Sequence, residues 1–221
     1  MMNLTFLCQN LHSSVKTNST QFIILSFKPE KIDTFVIIIE KYPDNMNIFF
    51  LSANPRRCAR WHCDKHVVKM ILESTQILYT ALHVNGGTHL IESSAPICKS
   101  TGKRGYKKHA AKHPSVQWAS ATLPHYLWLC RMALCLVDEH AFRFKPAERH
   151  LCEEHLRWLM RTPPPELLDK LEWICDPTPA MPDEYQIYET VIECYWAYYN
   201  GAKRERGLLK WTGRKMPHVF R

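Results

Sequence analysis

From Cys63 onward, apolar side chains return at steps of three and four residues: Cys63, Val67, Met70, Ile71, Ile77, Leu78 and Ala81. A helix gathers residues so spaced onto one stripe, because about 3.6 residues complete a turn. The spacing predicts a helix from about Arg56 to Leu82, opened after Asn54-Pro55 and ended by Asn85-Gly86-Gly87. Further helices are expected from about Ser115, with Pro124 suited to the first turn of a restarted helix, and from about Ala147 to Met160. A short one follows from Pro165 to Ile174, and a last one runs from about Glu184 into Lys203 with an aromatic stripe of Tyr188, Tyr195 and Tyr199. Seven glycines in 221 residues supply few of the turns that a strand-rich fold needs. The fold class expected is mainly α.

Residues 1–45 read differently. Two β-branched runs, Phe22-Ile-Ile-Leu and Phe35-Val-Ile-Ile-Ile, predict short strands in a β-prone N-terminal extension. Met46-Asn47-Ile48-Phe49 then begins like a fresh protein start, and translation from Met46 is one expectation, with a genuine N-terminal hairpin as its alternative. The organisation expected is therefore an extension over 1–45 and a compact helical domain over 46–221. The first residues lack the basic region of a secretory signal, and the longest apolar stretch, Phe35 to Ile39, is too short to cross a bilayer. Nine cysteines, an odd number with no C-x-x-C pair, fit buried free thiols in a reducing compartment. No membrane partner is expected, and the setting is intracellular, in the cytoplasm or nucleus of a host cell.

Charge is unevenly placed. Residues 99–112 and 203–221 each carry a net +6, which leaves −4 on the remainder of a chain whose total is +8. Two basic segments of this kind suit a polyanion, since each Lys or Arg that meets a phosphate releases a counterion. Two solvated loops are the plainer alternative. The nucleic-acid contacts expected are Lys103, Arg104, Lys107, Lys108, His109 and Trp118 in the first segment and its sequel, and Lys210 and Arg214 in the second.

Beside the apolar stripe lies a polar one: His62, His66, Lys69 and Glu73, spaced to stack on one helix face. Three chemistries fit it. Two histidines four apart can hold a metal ion, a histidine beside a carboxylate can move protons near neutral pH, and a desolvated lysine can attack an aldehyde carbon. A solvated face with an ordinary Lys69–Glu73 pair is the bland alternative. His109 and His113 supply a second histidine pair, and His113-Pro114 opens a helix where backbone N–H groups are available to an anion. One site shared by the two segments is the expectation.

From Met46 on, the chain resembles a family of small, largely uncharacterised proteins of phages and large DNA viruses. The resemblance rests on Met46-Asn-Ile-Phe, His62-Cys-Asp-Lys-His-Val-Val-Lys-Met70 with Glu73, His113-Pro114 with Trp118, and Met181-Pro-Asp-Glu-Tyr185. The order of these features is also similar to that of viral and bacterial pyrimidine-dimer DNA glycosylases. That resemblance implies a glycosylase with lyase activity whose nucleophile is the N-terminal amine. A chain matured at Asn47 would set its amine at the matching position. The family's carboxylate would fall near Lys69, with Glu73 one turn later.

The function expected is a DNA-acting enzyme of the base-excision type, working on damaged or modified pyrimidines. Glu73 would be the acid/base group, His62 and His66 would orient or protonate, His113 would join them, and Lys69 would be nucleophile or phosphate clamp. No cofactor or metal is called for. The alternatives are a metal-dependent enzyme with His62, His66 and one or both of His109 and His113 as ligands, and a non-catalytic nucleic-acid-binding module.

Overall fold

The computed structural model describes the backbone of residues 11–16, 20–25 and 36–40, and residues 46–221 with their side chains. The chain divides into two units, Met1–Asn45 and Met46–Arg221. The first holds three antiparallel strands in the order β1 (Leu11–Lys16), β2 (Thr20–Leu25), β3 (Val36–Glu40). Phe22 pairs with Ile38 and Ile24 with Val36, so the two β-branched runs face each other in register.

The second unit is helical: α1 (Pro55–Trp61), α2 (Asp64–Val84), α3 (Thr88–Ser94), α4 (Pro114–Ala119), α5 (Leu123–Phe144), α6 (Cys152–Arg161) and α7 (Val191–Tyr198). Its centre is α2 against α5, with α4 and α6 also on α2 and α1 on α5. Val67, Met70, Ile71, Ile77, Leu78 and Ala81, the stripe read from the sequence, are fully buried there. Among the described residues, no helix is long and apolar enough to cross a membrane.

The expected single helix over 56–82 is two helices. The backbone leaves helical values at His62 (ψ 134°) and at Cys63 (ψ 161°). The cause is a side chain from another element. Arg143, in the last turn of α5 and fully buried, donates from Nη2 to the carbonyl of Arg60 (2.9 Å) and from Nη1 to that of His62 (2.8 Å). Carbonyls at the end of a helix have no partner within it. Here a guanidinium takes them, and the chain turns. The same guanidinium reaches Asp64 Oδ1 (3.2 Å) and Glu139 Oε2 (3.1 Å), so its charge is answered twice. His62 consequently sits in the break, while His66, Lys69 and Glu73 belong to α2.

The last helix is also shorter than expected. It starts at Val191, where Thr190 and Glu193 form a reciprocal capping box, and runs into a wide turn over Tyr199–Lys203. The basic loop expected over residues 86–112 contains α3.

Candidate functional site

Asn47 builds the site. Its side-chain Oδ1 accepts the N–H groups of Ile48 (2.7 Å) and Phe49 (2.8 Å), which folds residues 47–49 into a tight turn around their own first side chain. The same oxygen accepts the hydroxyl of Tyr195 (2.8 Å), and Nδ2 donates to the carbonyl of Ala180 (2.7 Å). An asparagine only 3% exposed, with its amide so well used, is a fixed point. Its backbone N–H points at α2 and donates to Glu73 Oε2 at 3.3 Å. Lys69, one turn earlier and half exposed, pairs with the other oxygen, Oε1, at 3.0 Å.

Phe49 carries the arrangement on to His66. Its φ of 47° lies in the left-handed region, unusual for a side chain of this size. The ring stacks on the His66 imidazole with centroids 4.0 Å apart. His66 Nδ1 meets the Tyr199 hydroxyl at 2.5 Å. Burial pushes the His66 pKa well below its ordinary value, helped by the charges of His62, Lys203 and Lys69. His66 is therefore a neutral imidazole at neutral pH, fit to orient a partner rather than to carry charge. His62 is fully buried and donates from Nδ1 to the Cys58 carbonyl (2.8 Å). Burial above all, with the Arg143 charge adding, brings its pKa down to about 4.

Lys203 closes the neighbourhood from the wide turn. It is 7% exposed, donates to the Tyr198 hydroxyl at 3.0 Å, and lies over the Tyr198 ring (4.3 Å) and the Phe49 ring (5.5 Å). Sequence reasoning counted Lys203 only as tail charge. Its spacing of four from Tyr199, on the aromatic stripe, was the available signal.

His66, Lys69 and Glu73 are thus brought together, with Asn47 and Phe49 between them. The other expected residues are placed elsewhere. His113 caps α4, its Nδ1 accepting the N–H of Ser115 (3.2 Å), so one of the N–H groups meant for an anion is already used. The N–H of His109 donates to Thr80 Oγ1 (3.1 Å), while the residue itself is exposed. Among the described residues, no three of His, Cys, Asp and Glu are grouped to hold a metal ion.

Trp118 is corrected from a base-stacking residue to a core residue. It is 5% exposed, stacked on His125 at 4.5 Å and bonded through Nε1 to the Cys175 carbonyl (2.8 Å), which leaves no open face for a base. Arg214 is only partly available, because its guanidinium grips Glu139 through Nε (3.1 Å) and Nη2 (2.7 Å). Arg104 donates to the Ala95 carbonyl (2.7 Å) yet remains exposed, as are Lys103, Lys107, Lys108 and Lys210.

Three of the four segments that carry the viral-protein resemblance meet here: Met46–Phe49, the run from His62 to Glu73, and the segment of Ala180 to Tyr185. Tyr185 closes the third contact, its hydroxyl accepting the N–H of Ala202 (3.1 Å) in the turn that positions Lys203. Comparisons with protein families, with curated proteins and with solved structures find no match for this chain.

Proposed function

We propose that the protein acts on DNA as a base-excision glycosylase with lyase activity, on damaged or modified pyrimidines, and that the nitrogen of Asn47 is its nucleophile. The observation that carries this is the Asn47 nitrogen lying 3.3 Å from Glu73 Oε2, in a setting of fixed geometry. In the full chain that nitrogen is a peptide N–H and cannot attack. Freed of residues 1–46 it would be an α-amine, with a pKa of about 7.7–8 and a useful uncharged fraction at neutral pH. The amine would add to C1′ of the target nucleotide as the base leaves with the glycosidic electron pair. Glu73 would take the proton that the amine gives up and return it to O4′ as the sugar opens to an imine. Neutral His66 would hold the Phe49 side of the turn, and Lys69 at the exposed rim would steer the carboxylate or a phosphate.

The test is borohydride trapping on DNA duplexes carrying an abasic site or a pyrimidine dimer. A form beginning at Asn47 is expected to form a covalent adduct that mass spectrometry maps to the Asn47 amine, and the full chain is not. Glu73→Gln in that form is expected to bind but turn over about 10²–10⁴ times more slowly. Absence of any adduct with the form beginning at Asn47 would overturn the catalytic reading.

A further inference from the structure

A groove of about 560 Å³ runs between α1 and the C-terminal segment. Arg56, Arg57 and Arg60 line one side, Arg214 and Lys215 the other, and Trp61 forms part of the wall. No acidic residue lines it. Arg214 is answered by Glu139. Among the described residues, Arg56, Arg57, Arg60 and Lys215 form no ion pair, and all four are exposed. Arg56 and Arg60 stand four apart on one helix, a like-charge pairing that costs a helix a few tenths of a kcal/mol. Nothing in the fold offsets that cost.

The walls, by contrast, are tied down. Asp64, at the start of α2, donates its N–H to the Lys210 carbonyl (2.8 Å) and accepts both the N–H (3.0 Å) and the hydroxyl (2.7 Å) of Thr212. Trp211 Nε1 donates to the Trp61 carbonyl (3.1 Å), and Arg143 holds the carbonyl of Arg60 from beneath. The cations are spaced before any ligand arrives, which lowers the ordering cost of binding. Guanidinium groups match phosphate oxygens two at a time. The cations are spread along an open groove rather than converging on one point, which suits a chain of phosphates better than a single anion. None of the exposed large apolar side chains lines the groove, so a lipid surface would find charge there without an anchor.

We infer that this groove is a cradle for the phosphate backbone of duplex DNA, held through Arg56, Arg57, Arg60 and Lys215. The inference rests on the DNA-acting reading above, but not on its catalytic chemistry. The experiment is fluorescence anisotropy of the full chain with a labelled undamaged DNA duplex across a KCl series. Replacing all four residues by Gln is expected to reduce the slope of log K against log salt by about 0.9 for each phosphate no longer neutralised, and to weaken binding about a hundredfold near 0.1 M salt. Lysine at positions 56, 57 and 60 should keep most of the slope, and circular dichroism should report an unchanged fold in every variant.

Outcomes separate the two ideas. If the Gln variant keeps the wild-type slope while Lys103→Gln, Lys107→Gln and Lys108→Gln together remove it, the groove is overturned and the DNA reading stands. If wild-type protein ignores the duplex but binds phosphatidylserine vesicles, both fall. Groove-dependent DNA binding without any trapped adduct upholds the cradle and removes only the catalysis.

Discussion

Two sets of arginines lie within one turn of each other and behave in opposite ways. Arg143 is buried beneath the junction of α1 and α2, and each of its nitrogens has an oxygen partner: Glu139, Asp64 and the carbonyls of Arg60 and His62. Arg56, Arg57 and Arg60, on the helix that Arg143 caps, are exposed and face no carboxylate across the groove. A charge taken out of water must be fully answered, so the first set is part of folding. An exposed charge is free to wait, so the second set is available for a ligand. Arg214 stands between them: it lines the groove, yet grips Glu139, with its side chain 26% exposed.

The contrast can be broken most severely at its buried end. Arg143→Met is expected to destabilise the protein by about 3–5 kcal/mol, because it strands Glu139, Asp64 and two carbonyls. Urea unfolding followed by circular dichroism measures it, and a loss under about 1 kcal/mol would refute the clamp. Arg214→Gln should fall in the middle. Its ion pair is partly solvated, so about 1–2 kcal/mol is expected after allowance for screening, together with weaker DNA binding.

Acid probes the same junction through His62. Its folded pKa lies near 4, below the ordinary value of 6.5, so the unfolded chain binds the proton first as pH falls. Stability from this group is complete above pH 6.5 and declines towards pH 4, at up to about 1.4 kcal/mol per pH unit. Unfolding at a series of pH values should show a shallower decline in His62→Gln, and an identical slope would mean that His62 charges freely in the fold. The smallest effect belongs to the exposed set. Arg57→Gln is expected to shift stability by less than about 0.5 kcal/mol while lowering DNA affinity. A larger loss of stability would show that the groove arginines are structural after all.

What could be read in advance follows from the range of each interaction. The apolar stripe of α2 was legible because helical periodicity is local, and so was the grouping of His66, Lys69 and Glu73. The break at His62 was not, since it is imposed by a side chain 81 residues away. Nor was the approach of Asn47 to Glu73 across 26 residues, although both belong to segments that carry the viral-protein resemblance. Trp118 misled because a basic neighbourhood in sequence says nothing about which way an indole faces. Arg56, Arg57 and Arg60 form an acid-free triplet that the sequence does display, but three cations on a short helix stand out less than the longer basic runs.

The wide turn after α7 has a consequence of its own. Within Tyr199–Lys203 the backbone departs from helical values at Gly201, where a Cβ would come 2.6 Å from the Tyr185 hydroxyl. Such a turn holds one residue more than an α-helical turn, and each residue of a helix rotates the chain by about 100°. Gly201 therefore works as a phase shift between two halves of one helix: everything downstream points a third of a revolution away from where a regular helix would send it. Deleting that single residue would let the helix run true, leave the aromatic stripe of α7 in phase, and swing both the Lys203 amine and the C-terminal wall of the groove out of alignment together. The two candidate binding features are geared to the same residue.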